Sequence, residues 1–153
     1  MTIAETSPHF SRKVGSRAEA IDALTACAEV CTSCADACLD HSTELEALRR
    51  CIRLNFDCAG VCILSAELLA RQTDTSDLLV RAQLQACIIA CQFCAEECML
   101  HAARLQPCRI CAEVCRQCSE SCHHLLEGTS LAAADVYGPD FEDYTHPFDN
   151  PGL

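Results

Sequence analysis

Sixteen cysteines dominate the chemistry that this sequence of 153 residues could perform. Fifteen of them fall into four stretches in which successive positions are four, three and four residues apart. The four stretches are Cys27, Cys31, Cys34, Cys38; Cys51, Asn55, Cys58, Cys62; Cys87, Cys91, Cys94, Cys98; and Cys111, Cys115, Cys118, Cys122. Thiolates at this density favour soft metal ions, of which Cu(I), zinc and iron–sulfur clusters are the candidates.

Other features of the sequence favour reduced thiols over disulfides. Residues 1–15 contain no apolar run followed by a cleavage site, which predicts a cytoplasmic protein whose thiols stay reduced. No stretch of eighteen uncharged apolar residues occurs, so we expect no membrane span. The formal net charge of -11 argues against nucleic acid as a partner, because nucleic acid is itself strongly negative.

Helices are the elements that position these cysteines. Eleven residues make about three helical turns, so each stretch places its four positions on one narrow stripe. Helix boundaries are indicated by capping boxes at Ser16-x-x-Glu19 and Thr43-x-x-Glu46, a cap at Ser76 or Thr75, Pro107 in a first turn and Gly128 at an end. These signals predict helices at 17–41, 45–71, 77–104 and 107–127.

An internal duplication organises the four helices. CAEVCTSCADACLDH at 27–41 resembles CIIACQFCAEECMLH at 87–101, and the second and fourth stretches share the same offset of 60 residues. The sequence therefore predicts a duplicated helical hairpin. Short loops make consecutive helices antiparallel, so the predicted fold is all-α, an antiparallel up-down-up-down four-helix bundle with a cysteine-lined core. We assign 1–15 to a flexible N-terminal segment, 16–128 to the bundle and 129–153 to an acidic tail.

The spacing also predicts which positions share a height in the bundle. Stacking the two hairpins gives four layers with one residue from each helix, filled by fifteen cysteines and Asn55. A fifth layer of His41, Leu48, His101 and Cys108 follows at one end, which we call the histidine end. Leu24, Ser65, Leu84 and Leu125 follow at the opposite end, which we call the leucine end. We expect ions to enter at the histidine end, with His41 and His101 passing them inward.

Charge favours Cu(I) over zinc as the ion held by these thiolates. Sixteen thiolates would hold about four Zn(II) ions and leave about eight negative charges inside the bundle, at a heavy desolvation cost. Cu(I) is monovalent and accepts bridging thiolates, so about one ion per sulfur gives a nearly neutral core. A zinc or iron–sulfur protein with an electron-transfer or regulatory role stays as the alternative.

Other interpretations of the cysteines have less support. A bundle stabilised by packing alone would use larger aliphatic residues, neighbouring cysteines on one helix rarely meet disulfide geometry, and the Cys-x-x-Cys pairs lack the βαβ context of a thioredoxin site. We therefore predict that the protein is not an enzyme. Asn55 either bonds a neighbouring thiolate or fixes helix register.

Four helices with inward Cys-x-x-x-Cys stripes, over about residues 27–125, resemble the cytosolic branch of the bacterial copper storage proteins. The resemblance implies a homotetramer of bundles that binds many Cu(I) ions and thereby stores or detoxifies copper. It also implies a set of core ligands, with Cys108 near the opening. These ligands are Cys27, Cys31, Cys34, Cys38, Cys51, Cys58, Cys62, Cys87, Cys91, Cys94, Cys98, Cys111, Cys115, Cys118 and Cys122.

The C-terminal segment differs in composition from the bundle. Residues 137–153 contain four of the seven aromatic residues, among prolines that exclude a helix. A purely solvating tail would be poor in aromatics. We predict that this segment docks on its own oligomer, or on a partner such as a shell protein or a copper donor or acceptor.

Overall fold

A computed structural model describes residues 8–71 and 76–128 of the protein, with side chains from residue 17 onward, and four helices make up this described part. They are α1 (Pro8–Leu39), α2 (Leu45–Ala70), α3 (Asp77–His101) and α4 (Gln106–Gly128). Each helix packs mainly against two neighbours, so that α1 contacts α2 and α4, and α3 contacts the same two. The predicted all-α four-helix bundle with a cysteine-lined core is confirmed.

The second hairpin begins where the capping signals predicted. Ser76 is the N-cap of α3, and its hydroxyl accepts a hydrogen bond from the backbone N–H of Leu79 at 3.3 Å. Pro107 lies in the first turn of α4, where a missing N–H costs no helical hydrogen bond. Helix α4 runs from Gln106 to Gly128, one residue beyond the predicted helix at each end. These signals set the positions at which the cysteines of α3 and α4 face the core.

The predicted start of α1 is wrong. The helix begins at Pro8 rather than at residue 17, so the Ser16 capping box lies inside it. Proline suits a first helical position because its φ angle is already helical, and Gly15 lowers helix propensity without ending the helix. The flexibility of residues 1–15 stays a prediction, and the acidic tail at 129–153 lies outside the described residues.

The connection between α1 and α2 also differs from the prediction. Helix α1 ends at Leu39, two residues early, because the chain reverses through backbone hydrogen bonds from His41 N to Cys38 O and from Glu44 N to His41 O. The N-cap of α2 is Glu44 rather than Thr43, and no side chain caps the helix. The Glu44 carboxylate instead pairs with Arg104, which lies between α3 and α4.

The remaining helix ends differ by smaller amounts. Helix α2 ends at Ala70, one residue before the predicted end, and α3 ends at His101, three residues before it. By length and composition α3 is the one described helix that could cross a membrane. Its cysteines face the bundle axis and are buried there, and the core helix of a soluble protein passes the same test.

Candidate metal centre

The sixteen cysteines lie along the axis of the bundle, and none is more than 1% exposed. Helix α1 contributes four of them, α2 three, α3 four and α4 five. All sixteen are free thiols. We call their Sγ atoms the sulfur column, and it comprises Cys27, Cys31, Cys34, Cys38, Cys51, Cys58, Cys62, Cys87, Cys91, Cys94, Cys98, Cys108, Cys111, Cys115, Cys118 and Cys122.

The spacing of the sulfurs suits a soft metal ion. Contacts between helices run from 3.6 Å for Cys31 and Cys115 to 4.0 Å for Cys27 and Cys91. A metal–thiolate bond of about 2.3 Å, the zinc value, requires sulfurs about 3.8 Å apart in tetrahedral and about 4.0 Å apart in trigonal coordination. The sulfurs of the reduced protein therefore already stand close to the distances at which they would share an ion.

The sulfurs form overlapping groups rather than separate sites. Several sets of four Sγ atoms lie within 4.8 Å of one another, including Cys27, Cys31, Cys58 and Cys115. Cys27 and Cys58 belong to a second such set, with Cys62 and Cys91. Two adjoining sets can hold an ion each only if every thiolate that they share binds both ions as a bridge. Bridging thiolates are characteristic of polynuclear Cu(I) assemblies, so the arrangement fits many Cu(I) ions better than isolated zinc sites.

The layers predicted from the sequence hold for one pair of helices and shift for another. Across α2 and α3, Cys51 meets Cys98 and Cys62 meets Cys87, both at 3.7 Å, as predicted. Across α1 and α4, Cys27 contacts Cys115 rather than Cys122. Helices in such bundles cross at about 20°, so flat layers cannot persist around the ring, and no loop joins α1 to α4 to fix their register.

Cys108 belongs to the sulfur column rather than to a separate layer at its end. Its Sγ lies 3.8 Å from Cys34, 3.7 Å from Cys38 and 3.9 Å from Cys51. The sequence predicts instead that Cys108 shares a layer with His41 and His101, beyond the four layers of cysteines. The shift between α1 and α4 explains the difference, because it moves the α4 cysteines by one to two ligand steps along α1.

The two candidate histidines lie in different surroundings. His101, the last residue of α3, is 8% exposed, and its Nε2 lies 3.3 Å from Oε1 of Glu97. Glu97 also forms an ion pair with Arg50 of α2, in which Oε2 of Glu97 lies 3.0 Å from Nε of Arg50. His41 is exposed in the connection between α1 and α2 and does not extend the α1 stripe. The metal-ligand roles of both histidines stay predictions.

Two acidic residues at the histidine end, Glu44 and Glu97, carry contacts that the sequence pattern does not predict. Glu97 orients His101, and the ion pair between Glu44 and Arg104 joins the turn of the first hairpin to that of the second. Both contacts depend on tertiary packing, and the sequence offered no periodic signal for them. The leucine end is as predicted in most respects, since Leu24, Ser65 and Leu84 are buried and Leu125 is half-buried.

Asn55 makes a complete set of hydrogen bonds within the sulfur column, where it is fully buried. Its Nδ2 donates to the backbone oxygen of Cys51 at 2.8 Å, to Sγ of Cys51 at 3.4 Å and to Sγ of Cys98 at 3.5 Å. Its Oδ1 accepts hydrogen bonds from the thiols of Cys111 at 3.0 Å and Cys94 at 3.5 Å. The predicted bond between Asn55 and a neighbouring sulfur is therefore present.

Burial and mutual hydrogen bonding change the acidity of the thiols. Burial, followed by the charge of Cys108, raises the pKa of the Cys38 thiol to about 11. Hydrogen bonding to Cys111 raises the pKa of Cys94, whereas hydrogen bonding to Cys115 lowers the pKa of Cys27. The pKa is raised at ten of the sixteen cysteines. Hydrogen bonds from neighbouring thiols lower it at the other six.

A four-helix bundle with reduced thiols along its axis defines a cysteine-lined metal-binding protein. The copper storage protein family matches residues 14–127 of this sequence. Since that match covers most of the chain, the chain belongs to the copper storage protein family. A cysteine-rich protein of Bacillus subtilis, YhjQ, whose function is uncharacterised, is 33% identical over 105 residues, which are 69% of this chain and 91% of that protein.

Solved structures with similar folds come from Streptomyces lividans. A cytosolic copper storage protein loaded with five coppers is 42% identical, with a TM-score of 0.74 over 76% of this chain and 97% of that one. The copper storage protein Ccsp loaded with 10 copper equivalents is 40% identical, with a TM-score of 0.75 over 82% of this chain and 94% of that one. Both comparisons agree with the family assignment and with the bundle fold.

Proposed function

We propose that this protein stores Cu(I) in the cytosol by binding many ions through the thiolates of the sulfur column, without catalysing a reaction. The observation that carries the proposal is the continuous series of buried thiols with contacts of 3.6 to 4.0 Å. The chain is 42% identical to a cytosolic copper storage protein of Streptomyces lividans whose structure holds five coppers, and this similarity supports both the choice of ion and the cytosolic location.

Charge supports Cu(I) over the alternative metals. Binding of one Cu(I) per sulfur replaces a neutral thiol by a neutral Cu(I)–thiolate pair and releases the proton to the solvent, so filling the column buries no net charge. Four zinc ions would leave about eight thiolate charges uncompensated. The described part of the bundle provides no basic side chain among its buried residues, apart from His101, to balance them.

A titration of the fully reduced, metal-free protein with Cu(I) under anaerobic conditions tests this proposal. A competing chelator reports the free Cu(I), and the bound copper per chain is measured at saturation. We expect saturation near the cysteine count, at about 16 ions, because bridging thiolates allow about one ion per sulfur. Saturation at one or two ions, with most thiols still reactive, would overturn the storage function.

A matched pair of variants separates ligation from folding. Cys62→Ser together with Cys87→Ser removes two sulfurs in contact at 3.7 Å near the leucine end, and we expect a partial loss of capacity. Ser65→Ala removes a buried hydroxyl in the same region without removing a sulfur, and we expect unchanged capacity. A zinc protein would instead bind about four Zn(II) ions per chain, and an iron–sulfur protein would be coloured.

We also propose that the protein forms a homo-oligomer, a tetramer by resemblance to its family. Large apolar side chains are exposed on α2, at Phe56 and Ile63, and on α3, at Ile89 and Phe93. The helices α2 and α3 pack against each other, and each exposes large apolar side chains of the kind that protein interfaces cover. Light scattering of the wild type and of Phe93→Asp measures the mass of the oligomer in solution. Gln92→Asp, at a neighbouring exposed position, is the control. We expect only Phe93→Asp to lower the mass of the oligomer.

The tail at 129–153 is proposed to dock on the oligomer or on a copper donor, copper acceptor or shell protein. Its aromatic residues are the observation that supports docking. Deleting 137–153 and comparing the mass of the oligomer and the proteins captured from lysate tests the proposal. Unchanged mass together with unchanged capture would refute it.

A further inference from the structure

Asn55 divides the sulfur column into two sets. Toward the histidine end, contacts of 3.7 to 3.9 Å connect an outer set of five sulfurs. The outer set is Cys34, Cys38, Cys51, Cys98 and Cys108. Toward the leucine end lies an inner set of eleven, which is Cys27, Cys31, Cys58, Cys62, Cys87, Cys91, Cys94, Cys111, Cys115, Cys118 and Cys122. The two sets meet beside Asn55, where Cys34 and Cys98 also face Cys111.

The orientation of the Asn55 amide is fixed by the backbone. A carbonyl oxygen can only accept a hydrogen bond, so the atom 2.8 Å from the oxygen of Cys51 must be the NH2 group. The amide oxygen therefore points to the opposite side, toward Cys94 and Cys111. Asn55 thus presents donors to the outer set and an acceptor to the inner set.

Ligation has opposite consequences on the two sides of this amide. When a thiol binds Cu(I), a Cu–S bond forms, the S–H bond breaks and the proton leaves to the buffer. Cys51 and Cys98 only accept hydrogen bonds from Asn55, so they keep those bonds after ligation. Cys94 and Cys111 donate to Oδ1, so ligation removes both donors and leaves a buried acceptor without a partner.

We propose that Asn55 is a positioning residue that makes the column fill in two stages, with the outer set before the inner set. The proposal rests on the proposed function, because it concerns the order in which the same thiols take up Cu(I). The amide oxygen is too hard to compete as a Cu(I) ligand. Asn55 therefore acts through the sulfurs that it bonds rather than by holding an ion.

The test uses full-length protein with 13Cβ-labelled cysteines, whose NMR signals can be followed because Cu(I) is diamagnetic. Cu(I) is added in amounts below one ion per outer sulfur, and the samples are left to reach equilibrium so that the order reflects affinity rather than the route of entry. In the wild type, we expect the signals of Cys51 and Cys98 to shift to completion before those of Cys94 and Cys111 begin to shift.

Two variants distinguish the role of the amide from the position of the outer set. Asn55→Leu removes all side-chain hydrogen bonds and adds no ligand, and Asn55→Cys supplies a sulfur in their place. In both variants we expect the outer and inner signals to shift together, while circular dichroism shows an unchanged helix content. Asn55→Gln, which retains an amide, should restore part of the order.

Two outcomes would overturn the proposal. One is an inner set that shifts with or before the outer set in the wild type. The other is an outer-first order that both Asn55→Leu and Asn55→Cys preserve. Failure of the storage function would look different, since total capacity by chelator competition would then be one or two ions in every variant, whatever the order of the shifts.

Discussion

Sγ of Cys38 lies 3.7 Å from Sγ of Cys108, which joins the cysteine outside the four stretches to the sulfur column. Cys108 also contacts Cys34 and Cys51, so it connects sulfurs from α1 and α2. We predict that Cys108→Ser lowers the saturating Cu(I) content by about one ion per chain, because a bridging thiolate supports about one ion. Titration against a chelator measures the content.

The control for this prediction is Ser119→Ala, on the same helix and also buried. It removes a polar atom from α4 without removing a sulfur, and its capacity should equal that of the wild type. A Cys108→Ser protein that still binds the wild-type number of ions would contradict a ligand role for Cys108.

The histidine end makes a kinetic prediction. His101 is largely buried and oriented by Glu97, whereas His41 is exposed. We expect His101→Ala to slow the initial uptake of Cu(I) at unchanged final capacity, because an oriented imidazole at the end of the column can pass ions inward. Stopped-flow mixing with a Cu(I) chelate measures the rate.

His41→Ala provides the comparison for that experiment. We expect it to change the rate less than His101→Ala does, since His41 does not lie on the stripe of α1. A larger effect at His41 than at His101 would count against entry beside His101.

The acidity of the thiols predicts how stability depends on pH. Burial raises the pKa of Cys38 from 9.0 to about 11. A group with a raised pKa stabilises the folded state fully below its unfolded pKa, and that contribution is lost as pH rises through the folded value. Since most of the thiols share this direction, we expect the free energy of unfolding of the metal-free protein to fall between pH 9 and pH 11.

Urea unfolding of reduced, metal-free protein at a series of pH values measures this dependence. Cu(I) binding should show the opposite trend and weaken as pH falls, because protons compete with the ion for each thiolate. A metal-free protein that became more stable above pH 9 would disagree with the raised pKa values.

The leucine end predicts a large loss of stability on truncation. Leu84 is almost fully buried and lies three residues before Cys87 on α3. Leu84→Ala should lower the free energy of unfolding by about 2–5 kcal/mol, the usual cost of such a cavity. Urea denaturation measures the change, with Leu79→Ala on the exposed face of α3 as control, for which we expect a change within about 0.5 kcal/mol.

Much of the fold and the site follows from the sequence because the cysteine steps repeat the helical period. That period predicts that Cys62 lies opposite Cys87, and Ser76 marks the start of α3, as the structure shows. It could not supply the shift that puts Cys27 against Cys115, because register between non-consecutive helices depends on crossing angles. It also missed the exposure of His41, which depends on where the chain turns.

The sulfur column takes the place of the aliphatic side chains that would fill the centre of an ordinary bundle. Ions bound there stabilise the folded chain by mass action, since the unfolded chain cannot offer so many thiolates to one cluster. The melting temperature of this protein should therefore rise with each further Cu(I) ion bound, so it reports the number of ions per chain. For the same reason, cellular proteases should degrade the metal-free protein faster than the copper-loaded protein.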